Sequence, residues 1–365
     1  MLYIPKNQYL CNEYFFCLTM EKFVLYTFNI VRATLVLVFS IVTINAVSQE
    51  IHFSQFYANP LSINPANTAW YDGNLRVNAM YRTQWRAIDA KPFQTVSFGL
   101  EKQFQFYDFS YGIGVCAIRD ESGYVGLIND KILFSGAFAA NVNGHNLSGG
   151  IQAGLVYKTT NIAHYTYNSQ FDLGGESVFN RNFENGEQED GRLFHLAINA
   201  GVLWDKQLTS DFIAKAGISI FNINTPYESF YGVELKDSEQ ALRVAIQGGG
   251  KYTVNKKITV QPNILFMRQE KATELLIGGN VDYAFKKDVI VYGGTIFRYG
   301  FSKNYDATVW IIGTKYKRFN IGASYDINVS SLREATNYRG AVEVSLTYLT
   351  PSWKSTKVKI PCERF

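Results

Sequence analysis

Little in this sequence points to chemistry. Of its 365 residues only 18% are charged, and its four histidines and four cysteines are scattered. His52, His145, His164 and His195 show no metal-ligand spacing. Cys11 and Cys17 fall in a region expected to be removed, and Cys116 and Cys362 give neither a metal spacing nor a disulfide framework. No G-x-S-x-G elbow and no H-E-x-x-H pair occurs. The glycine pairs at 149–150, 278–279 and 293–294 open no helix, so they are not phosphate loops; in strands they mark close packing or a bulge. No acid, base and nucleophile can be assembled, so the reading is non-enzymatic, without cofactor or metal. A net charge of +4 implies no nucleic-acid partner. After the N-terminal region no run of about 18 apolar residues occurs, so no later helix is expected to span a bilayer. The mean hydropathy of −0.09 is far too low for a bundle of membrane helices.

What is present is alternation. In residues 319–328 Phe319, Ile321, Ala323, Tyr325 and Ile327 point one way, and Asn320, Gly322, Ser324, Asp326 and Asn328 the other. Residues 338–348 repeat the pattern. One face is apolar and the other small and polar, as expected for a barrel with lipid outside and polar side chains inside. The 24 Tyr and 27 Phe suit membrane-interface girdles. Strands are expected at 75–82, 93–101, 110–119, 127–140, 147–157, 192–204, 212–221, 241–252, 258–267, 274–285, 289–298, 307–316, 319–328 and 338–349. The fold class is therefore all-β: an antiparallel transmembrane β-barrel of about 14 strands, most near the ten residues a tilted strand needs to cross.

Connections sort by parity. Those near 103–109, 141–146, 205–211, 254–257, 285–288 and 317–318 are short. Those near 158–191 and 222–240 are the longest. Outer-membrane barrels are built this way, with short periplasmic turns and longer external loops. Three short turns carry dibasic pairs: Lys256-Lys257, Lys286-Lys287 and Lys317-Arg318. Charged tight turns keep strand ends solvated, and the same residues could form a basic rim that meets an acidic periplasmic partner. The acidic stretch 184–190 fits no calcium loop and reads as a solvated surface.

The N-terminal region resembles a secretory signal. Met20 is the more natural start. Lys22 and Arg32 form a positive segment, 33–46 is apolar, and Ala46-Val47-Ser48 is a small-x-small site. Residues 1–48 are the expected signal region, with cleavage before Gln49. Residues 49–73 then form an irregular segment, either at the barrel base in the periplasm or folded into the lumen as a plug. Asn59-Pro60 and Asn64-Pro65 favour turn initiation. The barrel is expected over 74–350. A basic tail, 351–365, is expected to be periplasmic.

Three stretches together resemble the PorP/SprF family of Bacteroidota. The first is Phe53-Ser54-Gln55-Phe56 followed by Asn59-Pro60-Leu61 and Asn64-Pro65-Ala66. The second is Tyr81-Arg82 and Gln84-Trp85 before Pro92-Phe93. The third is Ala323-Ser324-Tyr325-Asp326 with Gly340 and 343–346, followed by the tail 360–365, where Glu363 stands in place of the family's usual Pro. The resemblance covers essentially the whole mature chain. It implies an outer-membrane barrel of the type IX secretion system, active in protein secretion and in gliding motility. It implies as partners an exported surface protein with a C-terminal sorting domain and other components of the system. It brings no catalytic residues.

The main alternative is an outer-membrane transporter or channel for hydrophobic or small solutes. A porin should show charged rings on lumen-facing positions. The polar face here is mostly Ser, Thr, Asn, Gln and Gly, which predicts no such ring. A filled lumen favours the protein-binding barrel; an open apolar tunnel favours the transporter.

Overall fold

The computed structural model describes residues 52–86, 91–106, 109–122, 126–160, 191–230, 238–300, 304–331 and 333–351. The expected signal region, most of loop 158–191, part of loop 222–240 and most of the tail, Cys362 included, lie outside them.

Fourteen strands close into one antiparallel barrel. They are β1 (Leu75–Gln84), β2 (Phe93–Phe106), β3 (Phe109–Ser122), β4 (Leu127–Val142), β5 (His145–Thr160), β6 (Arg192–Gln207), β7 (Phe212–Phe221), β8 (Arg243–Thr253), β9 (Ile258–Gln269), β10 (Ala272–Lys286), β11 (Val289–Gly300), β12 (Asn304–Tyr316), β13 (Phe319–Asn328) and β14 (Arg339–Leu349). Each pairs with its sequence neighbour, and β1 closes the ring on β14. Closure pairs every strand on both sides, which leaves no open edge in lipid.

The register carries the two-residue period around the wall. Tyr81 lies opposite Val344 and Val96, and all three face outward; the next residue, Arg82, lies opposite Glu343 and Thr95, and all three face inward and are buried. The outer surface is apolar: Ile151 and Ile312 are each about 70% exposed. In water such a surface would be a liability, but in lipid it is the solvated face.

Several strands run longer than the alternation suggests. β4 and β5 each have 16 residues and meet at Asn143-Gly144, both with positive φ (53° and 78°). That is the backbone a two-residue hairpin turn requires, so the ladder continues to Val142–His145 where a longer turn was expected. β2 and β3 likewise pair out to Phe106–Phe109. Pro262 sits inside β9, and the β8–β9 ladder skips from Asn263 to Val260 there, because proline donates no backbone hydrogen bond.

Residues 53–69 run inside the barrel as three short 3-10 turns, Phe56–Ala58, Pro60–Ser62 and Pro65–Ala69. Each Asn-Pro pair starts one of the last two. Proline presets φ at the first helical position, where no donor is needed. Asn64 also caps its own turn by accepting from the Ala66 N–H at 2.9 Å. The chain leaves this plug at Asn74, whose neighbour Leu75 opens β1 at the short-turn end.

Candidate functional site

The lumen is filled, and two kinds of contact fill it. The first is apolar. Phe56 and Ile63 of the plug pack with Leu265, Leu276, Ile296 and Val309 on β9–β12. Leu61 packs with Cys116, Leu133 and Val156 on β3–β5. Burial of each such side chain stabilises the packed state by about 1.5–3 kcal/mol.

The second is polar and reaches most of the wall. At one side the backbone N–H groups of Ser54 and Gln55 donate to the two carboxylate oxygens of Glu343, at 2.7 and 2.8 Å. Glu343 also pairs with Arg82. Arg82 donates to Ser54 Oγ at 2.8 Å, and that hydroxyl donates to Asp326 at 2.8 Å. Asp326 in turn pairs with Arg298. His52, the first described residue, meets Glu274 at 2.9 Å. At the opposite side the contacts are neutral. Ser148 donates to the Ala66 carbonyl at 2.8 Å, Thr68 donates to Ser135 at 2.9 Å, and Asn64 donates to the Val202 carbonyl at 3.0 Å.

Glycine makes room on this neutral side. A Cβ on Gly150 would lie 2.5 Å from the Pro65 carbonyl carbon, and one on Gly201 would meet the Asn64 side-chain oxygen. The glycine pair at 149–150 is thus a close-approach site for the plug.

Of the sequence-marked N-terminal residues, Phe53, Ser54, Gln55, Asn59, Asn64, Pro65 and Ala66 are buried in the lumen and Pro60 is half-buried. Their common destination is the interior wall. The segment rises from the short-turn end at Asn74 to the long-loop end at His52.

The inward face reads in the sequence as mostly neutral, and it also carries Arg82, Glu101, Asp120, Glu274, Arg298, Asp326 and Glu343, all buried there. Alternation along β13 already places Asp326 on that face with Ser324; the same parity puts Arg82 with Asn78 and Met80, and Glu343 with Ser345. They do not ring an open pore. They bind each other and the plug, as buried charges must.

The long-loop end carries a cavity of about 330 Å³ above the plug. At its rim Trp85 and Phe93 meet edge to face, with ring centroids 4.8 Å apart. Farther round, Glu228 of the β7–β8 loop binds Lys158 of β5 at 2.6 Å and His195 of β6 at 3.0 Å. Burial pushes the Glu228 carboxyl up. The His195 hydrogen bond and the Lys158 ammonium more than offset this and hold it below the ordinary carboxylate range.

The short-turn end is basic along one arc. Lys256, Lys257, Lys286, Lys287, Lys317 and Arg318 are all exposed. Their turns are tied together: Ala284 N–H donates to the Lys257 carbonyl at 2.8 Å, and Lys317 N–H to the Asp288 carbonyl at 3.1 Å. Lys286 and Lys317 lie over the outward rings of Phe285 and Tyr316, 5.7 and 5.2 Å from their centroids.

Comparison with known proteins agrees with this architecture. A mutant of the monoaromatic hydrocarbon channel TodX is 12% identical, with a TM-score of 0.52, over 81% of this chain and 94% of that one. That likeness shows a shared barrel fold. A FadL homologue from Pseudomonas aeruginosa (10% identical, TM-score 0.44, 78% and 92% covered) and the translocator domain of the autotransporter NalP from Neisseria meningitidis (10%, 0.38, 80% and 93%) are more distant barrels. No curated protein sequence matches. The model of the type IX secretion system membrane protein PorP/SprF matches residues 45–348. With its closed barrel of fourteen strands, the chain belongs to the PorP/SprF family of type IX secretion system membrane proteins and is a β-barrel of the outer membrane.

Proposed function

We propose that this barrel binds an exported protein carrying a C-terminal sorting domain at its long-loop end and helps to export it or hold it at the cell surface. The observation that carries the reading is the filled lumen. A plug fixed by buried ion pairs on one wall and by close-packed turns on the other leaves the work to the two ends of the barrel. The long-loop end offers the widest loops and faces the exterior under the rule for outer-membrane barrels. The basic arc at the other end suits an acidic surface of a periplasmic component of the same system. Neither role requires a catalytic group.

A channel for apolar solutes is the competing reading. It would need a continuous apolar path. Here the apolar patches of the inner wall are covered by Phe56, Leu61 and Ile63, and buried charges stand between them and the mouth.

The test is to tag the protein in its native outer membrane, recover it in gentle detergent and identify what accompanies it. A large surface protein with a C-terminal sorting domain is the expected result. Recovery of the barrel alone with a lipid-like ligand would overturn the reading. Removal of residues 161–190 should abolish cargo display while the barrel stays folded, and unchanged display would exclude that loop as the binding surface.

A further inference from the structure

Positive charge at the short-turn end is concentrated on one arc. The turns after β8, β10 and β12 carry Lys256, Lys257, Lys286, Lys287, Lys317 and Arg318, all exposed, and the one acid among them is Asp288. Other described turns on that rim differ. Residues 142–145 include no lysine, arginine or acid, and residues 208–211 include Asp211 and no lysine. Among the described residues none of the six cations forms an ion pair with a carboxylate, and Asp282, inward on β10, is already held by Lys315 and Gln261. Like charges gathered this way repel one another, so an anion laid across them is favoured.

The position of the charge identifies the anion. Lys286 and Lys317 lie over the outward rings of Phe285 and Tyr316, 5.7 and 5.2 Å from their centroids. Those rings belong to a belt with Tyr283 and Phe319, all exposed on the outer wall, and Phe319 packs on Tyr348 with centroids 4.9 Å apart. Such a belt marks the depth at which hydrocarbon gives way to headgroups. An ammonium resting on its edge is therefore held at headgroup depth, on the outside of the barrel and away from the lumen. A soluble acidic protein, arriving from water along the barrel axis, has no use for cations laid on lipid-facing rings.

The arc is also a row. Backbone bonds tie its turns side by side, from the Ala284 N–H to the Lys257 carbonyl and from the Lys317 N–H to the Asp288 carbonyl. Successive hairpins stand about 10 Å apart, two strand spacings. A row of dibasic turns at that spacing suits several phosphodiester groups lying next to one another, as they do in a leaflet.

We propose that this arc binds anionic phospholipid headgroups of the periplasmic leaflet, with Lys286 and Lys317 on the phosphodiester and Phe285 and Tyr316 against the glycerol and first acyl carbons. The inference goes beyond the cargo reading and concerns the opposite end of the barrel.

The test uses the full-length barrel in a neutral detergent and four probes: dioleoylphosphatidylglycerol, dioleoylphosphatidylcholine, glycerol 3-phosphate and a short polyglutamate peptide. Native mass spectrometry counts retained lipid, and calorimetry gives affinities. Phosphatidylglycerol should bind about ten-fold more tightly than phosphatidylcholine, and the preference should shrink with added salt. Lys286→Gln combined with Lys317→Gln should remove most of it. Arg268→Gln combined with Lys271→Gln, the same loss of charge at exposed positions of the long-loop end, should leave it intact. Heat-dependent gel mobility checks that each variant is folded. No preference for phosphatidylglycerol, or a preference that survives Lys286→Gln with Lys317→Gln, would overturn the proposal. Glycerol 3-phosphate binding as tightly as the lipid would overturn it in favour of a free phosphate site. Tighter binding of polyglutamate would overturn it in favour of an acidic protein surface. Loss of the cargo reading in the recovery experiment leaves this result untouched, so the two failures are distinguishable.

Discussion

The two sides of the lumen hold the same plug by different physics. On β1, β11, β13 and β14 the grip is ionic: Glu343 receives two backbone N–H groups and Arg82, and Asp326 receives Ser54 and Arg298. On β4–β7 the grip is steric and neutral: the Asn64 and Pro65 turn lies against Gly150 and Gly201, with single hydrogen bonds from Ser148 and Thr68. The ionic side gains little net energy when intact, because desolvation offsets attraction. Its importance appears when one member is removed and its partner stays buried. The neutral side should fail gradually, one contact at a time. The plug is therefore held by charge at residues 52–55 and mainly by shape at residues 64–66, with Arg76 of the Arg76–Glu101 pair donating to the Asn67 carbonyl just beyond.

The largest effect is expected from Glu343→Ala. It takes from Arg82 the nearer of its two buried carboxylates, leaving Asp326 at 3.5 Å, and leaves the Ser54 and Gln55 N–H groups without acceptors. Loss of a buried partner costs about 3–5 kcal/mol. The N-terminal segment should become cleavable by added protease while β1–β14 remain heat-modifiable on a gel. Arg82→Met placed on top of Glu343→Gln should recover part of the loss, since the two residues form one coupled unit. A Glu343→Ala protein as protease-resistant as the parent would break the comparison.

Gly150→Val comes next. Its side chain would collide with the Pro65 carbonyl, and overpacking of this kind costs about 1–3 kcal/mol. The signature should be a lower unfolding temperature with the ionic side still assembled. A smaller effect, about 1 kcal/mol, is expected for Asn64→Ala, which loses the cap on Ala66 and the bond to Val202. Equal losses from Asn64→Ala and Glu343→Ala would mean that charge adds nothing special on the other wall.

The same contrast explains what could be read in advance. The barrel was legible because its period is local: outward Ile321 and Tyr325 and inward Gly322 and Ser324 announce themselves within one strand. Short turns were legible for the same reason, and the dibasic pairs do fall on adjacent, hydrogen-bonded turns. The plug was legible as irregular chain with the lumen as one of two places for it, since Asn59-Pro60 and Asn64-Pro65 declare turns without saying where the turns pack. The ionic clamp was not legible at all. Arg82 and Glu343 are 261 positions apart and become neighbours only because β1 closes on β14. A charge on an inward position has no local partner to reveal it, and only the closed register supplies one.

Glu228 sharpens the comparison from outside the lumen, and its effect should be the smallest. Its trio with Lys158 and His195 is only partly buried, with the Glu228 side chain 22% exposed, so water can replace its partners where it cannot replace those of Glu343. Its folded carboxyl sits below the ordinary value because His195 and Lys158 outweigh burial. The sign follows by linkage. The contribution to docking of the β7–β8 loop is fully present above the ordinary glutamate value of about 4.3 and fades as pH falls through the lower, folded one. Hydrogen exchange at residues 222–230 should therefore be independent of this group near neutrality. Corrected for intrinsic rates, it should accelerate in acid below about pH 4, before the plug amides of Ser54 and Gln55 respond. Glu228→Gln should remove that step and leave the plug unchanged. Simultaneous opening of loop and plug in acid would mean that the two charge clusters form one cooperative unit, and the division of the lumen into an ionic and a neutral side would then extend to the outer rim.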